Sequence, residues 1–303
     1  MTDLVPVDDE SIALAARLIL GGEPVAVPTE TVYGLAADAT NPRAVARIYE
    51  AKGRPTFNPL IVHVPDLAAA SRIGRFGPDA LALAERYWPG PLTLVVPLAD
   101  GEPVAALVTA GLATVALRVP AHPAMQALLA ATARPLAAPS ANRSGAISPT
   151  LAEHVLGSLG GRIPLILDGG ACERGLESTI VAVTASGLRL LRAGPVLLDA
   201  PPASGERIEA PGQLASHYAP SKALRTDAER RREDEYLIGF GAIDGDLNLS
   251  PSGNLVEAAA NLFAALHLAD AASQPRIAVA SIPAHGLGGA INDRLRRAAA
   301  PRQ

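Results

Sequence analysis

The sequence has a single cysteine, Cys172, among 303 residues. No disulfide can close within the chain, no cysteine-rich zinc site can be assembled, and a reducing compartment is expected, the cytoplasm. Aromatic residues are only 3% of the chain, few for a surface that stacks on unpaired bases. The formal net charge is −4, opposite to the basic surplus of a protein that coats nucleic acid, although it leaves room for a local basic pocket. Asp3, Asp8, Asp9 and Glu10 come first, and Arg17 interrupts the apolar run behind them, which reads as neither a signal peptide nor a membrane span. Lysine is nearly missing: only Lys52 and Lys222 occur, and arginine fills the other basic positions.

What is present is aliphatic. Hydrophobic residues make up 49% of the chain, so the core must be built from Ala, Val, Leu and Ile. The length suits two domains. Apolar periodicity and turn residues predict helices over 11–20, 41–49, 78–87, 123–132, 255–268 and 290–300. They predict strands over 24–28, 60–64, 92–97, 114–119, 136–139, 165–168, 180–183, 188–191, 236–240 and 276–281. Ser11 is the expected cap of the first helix, with Gly21 and Gly22 ending it. The alternation is that of an α/β protein.

Polar residues gather where these strands stop. Thr29, Glu30 and Thr31 follow the strand over 24–28, with Gly34 as a turn. His63 sits in an apolar strand, where a satisfied core histidine is the ordinary reading. Arg118 sits in TVALRV, where its charge needs an anion, from a structural ion pair or from a ligand. SANRSG, residues 140–145, has the small and polar composition of a phosphate-facing loop, though common turns share it. Glu177, Ser178 and Thr179 border another strand, and Arg192 ends the next. Asp38 and Asp168 read as turn residues. The scarcity of lysine draws attention to KGRPTFNP, residues 52–59, where a compact ammonium replaces the usual guanidinium. By itself this octapeptide could be a solvated basic loop.

Residues 201–220 are rich in Pro, Gly, Ala and Ser and read as an interdomain linker, but His217 and Tyr218 are specific for a plain spacer. The charged run over 225–235 reads as a solvated face, and GLGG over 286–289 as a turn into the last helix.

Taken together and in order, PTETVYGL, KGRPTFNPLIVHV, WPGPLTLVV, TVALRVP, PLAAPSANRSG, LESTIV and LRAGPV resemble the YrdC-like family. The linker ending in HYAP and the small α/β unit after it resemble the longer, two-domain form of the family's threonylcarbamoyl-AMP synthases. The resemblance implies a large twisted mixed sheet with flanking helices around a concave site over residues 1–200, a lid over 201–222, and a smaller Rossmann-like α/β domain over 223–303. It implies a reaction in which L-threonine, bicarbonate and ATP give threonylcarbamoyl-AMP and pyrophosphate, for threonylcarbamoyladenosine in tRNA. It places the catalytic signature on Lys52, Arg54, Ser140 and Asn142. ATP contacts fall on Arg54, Asn58, Thr114, Ser140, Ser148 and Arg192, with His217 and Tyr218 from the lid. Threonine contacts fall on Thr31, His63, Arg118, Ala138 and Ser178.

Mg²⁺ is expected with the ATP, without a carboxylate cage for it in the sequence. The labile product implies hand-off to a threonylcarbamoyl transferase. The competing reading is an RNA-binding module, for tRNA or double-stranded RNA, without adenylating activity. A regulatory nucleotide sensor is a third, and a carbamoyl-adenylating part of a larger maturation enzyme a fourth. Weak direct contact with tRNA fits the first reading as well.

Overall fold

The computed structural model describes residues 1–101, 104–184, 186–203, 208–214 and 216–301. Residues 204–207 and 215 of the expected linker lie outside the described residues. The chain opens with β1 (Asp3–Pro6), α1 (Asp9–Leu20), β2 (Val25–Val27), β3 (Gly34–Asp38), α2 (Pro42–Lys52) and β4 (Ile61–His63). There follow α3 (Leu67–Ser71), α4 (Pro78–Tyr87), β5 (Leu92–Pro97), α5 (Ala106–Thr109), β6 (Thr114–Arg118), α6 (Pro123–Thr132) and β7 (Leu136–Ala137). α7 (Ala152–Leu159), β8 (Leu165–Asp168), β9 (Thr179–Thr184) and β10 (Gly187–Arg192) complete the first part. β11 (Ala223–Ala228), β12 (Glu235–Gly239), β13 (Leu247–Asn248), α8 (Leu255–Ala271), β14 (Arg276–Ala280) and α9 (Gly288–Ala299) form the second.

The first ten strands join in one mixed sheet, in the order β1-β8-β2-β3-β7-β4-β6-β5-β9-β10. Runs such as LTLVV and TVALR pack on both faces, so the strands are buried almost throughout. The core of this first part is mostly Ala, Val, Leu and Ile, as the aromatic shortage requires, with Tyr33 and Tyr49 the buried aromatics in it. The other four strands form a separate all-parallel sheet, β11-β14-β12-β13. Val32, Ile147 and Leu176 of the first part share a core with Tyr218, Leu262 and Phe263. The two parts therefore meet across an apolar face.

Three local expectations change. The cap of α1 is Asp8, whose carboxylate accepts from Ser11 N at 2.7 Å, while Ser11 Oγ accepts from Asp8 N at 2.9 Å. Ser11 is thus the third helical residue of a reciprocal capping box. Gly34 is not a turn but the first residue of β3. The charged run over 225–235 is not simply a solvated face: Arg225 lies in β11, and its guanidinium grips the buried Glu235 at 2.6 Å. GLGG does lead into α9, which begins at Gly288.

Candidate active site

Helix α2 aims the basic motif. Its N-cap is Asn41, whose side chain accepts from Arg43 N and Ala44 N, and Pro42 opens the helix. Gly53 ends it in the left-handed region (φ 60°), where glycine alone carries no Cβ penalty. That turn separates two cations. Lys52, the last helical residue, reaches under the SANRSG loop and donates to Ser140 O and to Asn142 O. Arg54 turns the other way and donates to Asn58 O at 3.1 Å and Pro59 O at 2.8 Å.

Strands β4 and β6 run parallel, and their register sets His63 beside Arg118. Arg118 is bound on three sides: by Glu30 at 2.5 Å, by Thr31 Oγ1 at 3.0 Å and by Gly90 O at 3.2 Å. The structural ion pair is therefore real, and it also fixes the guanidinium beside a cavity. Arg118 holds the Glu30 carboxyl below its usual range against the opposing effect of burial. His63 is not a satisfied core histidine, because its Nδ1 has no partner. Burial, with Arg118 alongside, pushes it down to about 3, so the ring is neutral at ordinary pH.

Beyond Ser178, Arg192 closes the far wall. It donates to Ser178 O at 3.0 Å and Ser178 Oγ at 3.1 Å. The segment after β10 then crosses the opening. Gly212 (φ 86°) passes so close that a Cβ would lie 2.6 Å from the Tyr218 hydroxyl. His217 and Tyr218 are buried beneath it, their rings 4.1 Å apart.

One cavity is lined by Thr31, Arg54, His63, Arg118, Ala138, Ser140, Ser178, Arg192, His217 and Tyr218, ten of the residues expected from the sequence. Lys52 and Asn142 lie behind the Ser140 wall rather than in it. Asn58 and Ser148 are fully buried outside the lining; Ser148 Oγ donates to Glu177 at 2.5 Å. Thr114 also lies outside it, on the Asn58 side, since Ala116 pairs with Ile61. Thr29, Glu30 and Glu177 stood among the strand-end polar residues but received no site role; Thr29 and Glu177 line the cavity, as does Gly212, which was not singled out, and Glu30 fixes Arg118. Glu30 had a signal: an arginine inside an apolar strand demands an acid, and Glu30 ends a neighbouring apolar run.

Two features define the chemistry. Among the described residues, the buried side-chain nitrogens and oxygens without a partner belong to Asn58, His63, Asn142, His217 and Tyr218, all of them residues already picked out. Native proteins leave few such groups, and three of these residues, His63, His217 and Tyr218, line the cavity, which marks it as a ligand site. Second, Lys52, Arg54 and Arg192 are buried cations with no carboxylate at ion-pair distance among the described residues. Burial pushes Lys52 well below its ordinary value, with Arg54 adding to it. Burial likewise lowers Arg54, to about 10, and Arg192.

The depressed lysine has a measurable consequence. Between its folded and unfolded pKa values the unfolded chain binds more protons, so stability rises with pH in that window. The ligand-free protein should gain stability as pH climbs toward 10.5, the ordinary lysine value. Lys52→Met should remove that gain, and ATP should flatten it in the unsubstituted protein. Urea unfolding across pH reads both effects; equal slopes in the two proteins would contradict the buried charge.

A mixed sheet with a cation-rich cavity under a cross-chain strap defines an α/β protein that binds an anionic substrate at its strand ends. Comparison with known proteins narrows the class. Residues 17–194 match the family model described as "Telomere recombination", and residues 179–300 match that of the "Threonylcarbamoyl-AMP synthase, C-terminal domain". The chain belongs to the Sua5–YciO–YrdC family, in its two-domain form. It is 39% identical to the threonylcarbamoyl-AMP synthase of Pyrococcus abyssi, over 96% of this chain and 95% of that one. It is 38% identical to the threonylcarbamoyl-AMP synthase of Bacillus subtilis, over 100% and 96%. The crystal structure of P. abyssi Sua5 complexed with L-threonine superposes with a TM-score of 0.89, at 36% identity, over 99% of this chain and 97% of that chain.

Proposed function

We infer that this chain is an L-threonylcarbamoyladenylate synthase, joining L-threonine, bicarbonate and ATP into threonylcarbamoyl-AMP and pyrophosphate for threonylcarbamoyladenosine in tRNA. The observation that carries this reading is the pair of ends in the cavity. Arg54 and Arg192, backed by Lys52, make a cationic end in which, among the described residues, neither guanidinium has a carboxylate at ion-pair distance, suited to a triphosphate. Thr31, His63 and Arg118 make a second end, suited to an amino acid. Relatives matched over nearly their whole length carry the synthase name, and a structural neighbour is described as a complex with L-threonine.

In this reading Arg118 takes the threonine carboxylate, its orientation preset by Glu30 and Gly90. The neutral His63 offers a lone pair to the threonine hydroxyl, with Ser178 and the Ala138 backbone completing that end. The amine nitrogen forms a bond to the bicarbonate carbon and water leaves, giving a carbamate. A carbamate oxygen attacks the α-phosphorus, the bond to the β-phosphate oxygen breaks, and pyrophosphate departs with that electron pair. No protein nucleophile is needed; positioning and charge do the work. Lys52 contributes by fixing the carbonyls of Ser140 and Asn142 and by adding positive potential behind the phosphates.

Among the described residues no group of three His, Cys, Asp or Glu is placed to hold a metal. Mg²⁺ is accordingly proposed to arrive on the ATP phosphates. The space left in the cavity is about 40 Å³, whereas ligand pockets hold about 300 Å³ or more. We propose that the strap, the described residues Pro211, Gly212, His217 and Tyr218 at the cavity, lifts to admit ATP and then closes over it, excluding water from the labile carbamate and the labile product. Hand-off to a threonylcarbamoyl transferase follows from that lability, with at most weak contact to tRNA. No helix of the described residues is long and apolar enough to cross a membrane, and we place the reaction in the cytoplasm.

Carbon-13 bicarbonate tests the chemistry. Mass spectrometry should find one labelled carbon in an adenylate that also contains threonine. An adenylate without the label, or none at all, would contradict the reading.

A further inference from the structure

Arg294 lies on α9, in the second part of the chain, yet its side chain is fully buried against the first. Its Nε donates to Glu177 Oε2 at 2.8 Å, and one terminal nitrogen donates to Ala193 O at 2.9 Å. The guanidinium carbon sits 5.1 Å from the centre of the Tyr218 ring, within range of a cation–π contact. Glu177 passes the hold on: its other oxygen accepts from Ser148, and its chain neighbour Ser178 receives Arg192. One guanidinium thus ties the Glu177–Ser178 wall, the strand end after Arg192, and the strap.

The rest of α9 supports the same task. Arg297 O accepts from His217 N at 3.2 Å, and its guanidinium donates to Leu214 O at 2.6 Å. Asp293 holds Arg294 at 3.1 Å and Arg297 at 3.2 Å. Leu214 and His217 are therefore both held by Arg297 of α9. Among the described residues, Arg294 reaches the cavity lining through Glu177 and Tyr218.

We propose that Arg294 is a positioning residue for the adenylation site, the clamp by which the C-terminal unit holds the strap shut and sets the Glu177–Ser178 wall. This rests on the reading of the cavity as the ATP and threonine site. If the closed strap is what binds ATP tightly, loosening the clamp lowers the closed fraction, and apparent ATP affinity falls by that fraction. Threonine, held at the Arg118 end, should be little affected.

The full-length protein carrying Arg294→Lys keeps the charge but loses the fork that bridges Glu177 and Ala193. Its apparent KM for ATP should rise about tenfold or more, its KM for threonine should stay within about twofold, and ATP should no longer protect the strap from proteinase K. Tyr218→Leu, which leaves the ion pair intact, should raise the KM for ATP too, and the double variant should be no worse than the poorer single one. Additive effects, or an ATP-side KM and strap protection unchanged in Arg294→Lys, would overturn the clamp. Should Arg294→Lys not fold, an ATP-side KM unchanged in Tyr218→Leu would overturn it. Failure of the underlying reading looks different: the unsubstituted protein would then make no adenylate, while strap protection by ATP could still be scored.

Discussion

Arg54→Ala should lower kcat/KM for ATP by about 10²- to 10³-fold while leaving the protein folded, because truncating one side of a buried charge contact costs about 2–5 kcal/mol. In the ligand-free protein the guanidinium donates to the carbonyls of Asn58 and Pro59, with Tyr49 beside it. Those bonds are lost in the variant, but so is an unpaired buried charge whose pKa is held down to about 10 by burial. The two effects on folding oppose each other, and the unfolding midpoint should move little. The effect on binding has no such offset, since the triphosphate loses a partner placed for it. Titration with a non-hydrolysable ATP analogue, alongside urea unfolding, separates the two quantities. A variant that binds the analogue normally would remove Arg54 from the anion site.

Arg118→Ala should behave in the opposite way, losing stability and threonine use together. Glu30 has its guanidinium partner at 2.5 Å and lies almost wholly out of solvent. Removing one member of a buried pair strands the other charge, at a cost of about 3–5 kcal/mol. Neutralising both partners, as Arg118→Met with Glu30→Gln, should recover most of the folding. It should not recover threonine dependence, because no cation remains for the carboxylate. Urea unfolding of the single and double variants checks the first statement, and KM for threonine checks the second. A double variant with normal threonine use would mean that Arg118 serves the fold alone.

The parts legible in the sequence are those with local punctuation. The helices over 78–87 and 123–132 begin with Pro at the first turn, and their observed limits coincide with the expected ones. The strands over 92–97 and 165–168 also coincide, being apolar runs between turn residues. β1 and β3 were missed for identifiable reasons. DLVP is a mostly exposed edge strand with a proline, and GLAAD sets one Leu among Gly, two Ala and an Asp, none of them β-branched or aromatic.

The site divides along the same line. Arg54, Ser140, Asn142 and the strand-end residues belong to motifs that stand in order in the chain, and the fold brings most of them to one cavity. Long-range partners carry no such motif. Glu177 meets Arg294 across more than a hundred residues. Arg294 itself stands among arginines that look solvated, although Ile291, Leu295 and Ala298 show that its helix face is the buried one. Lys52 was expected in the catalytic signature. Its ammonium is found bound to the carbonyls of Ser140 and Asn142, behind the cavity wall.

Pyrophosphate release tests the central claim most directly. Purified protein is given ATP, Mg²⁺ and bicarbonate, with and without L-threonine, beside the same protein carrying Lys52→Ala. Release that requires threonine, and that falls by at least about 10²-fold in Lys52→Ala, is the expected result. Release that is absent, or indifferent to both threonine and Lys52, would contradict the account and turn the cation-rich cavity into a binding site of another kind.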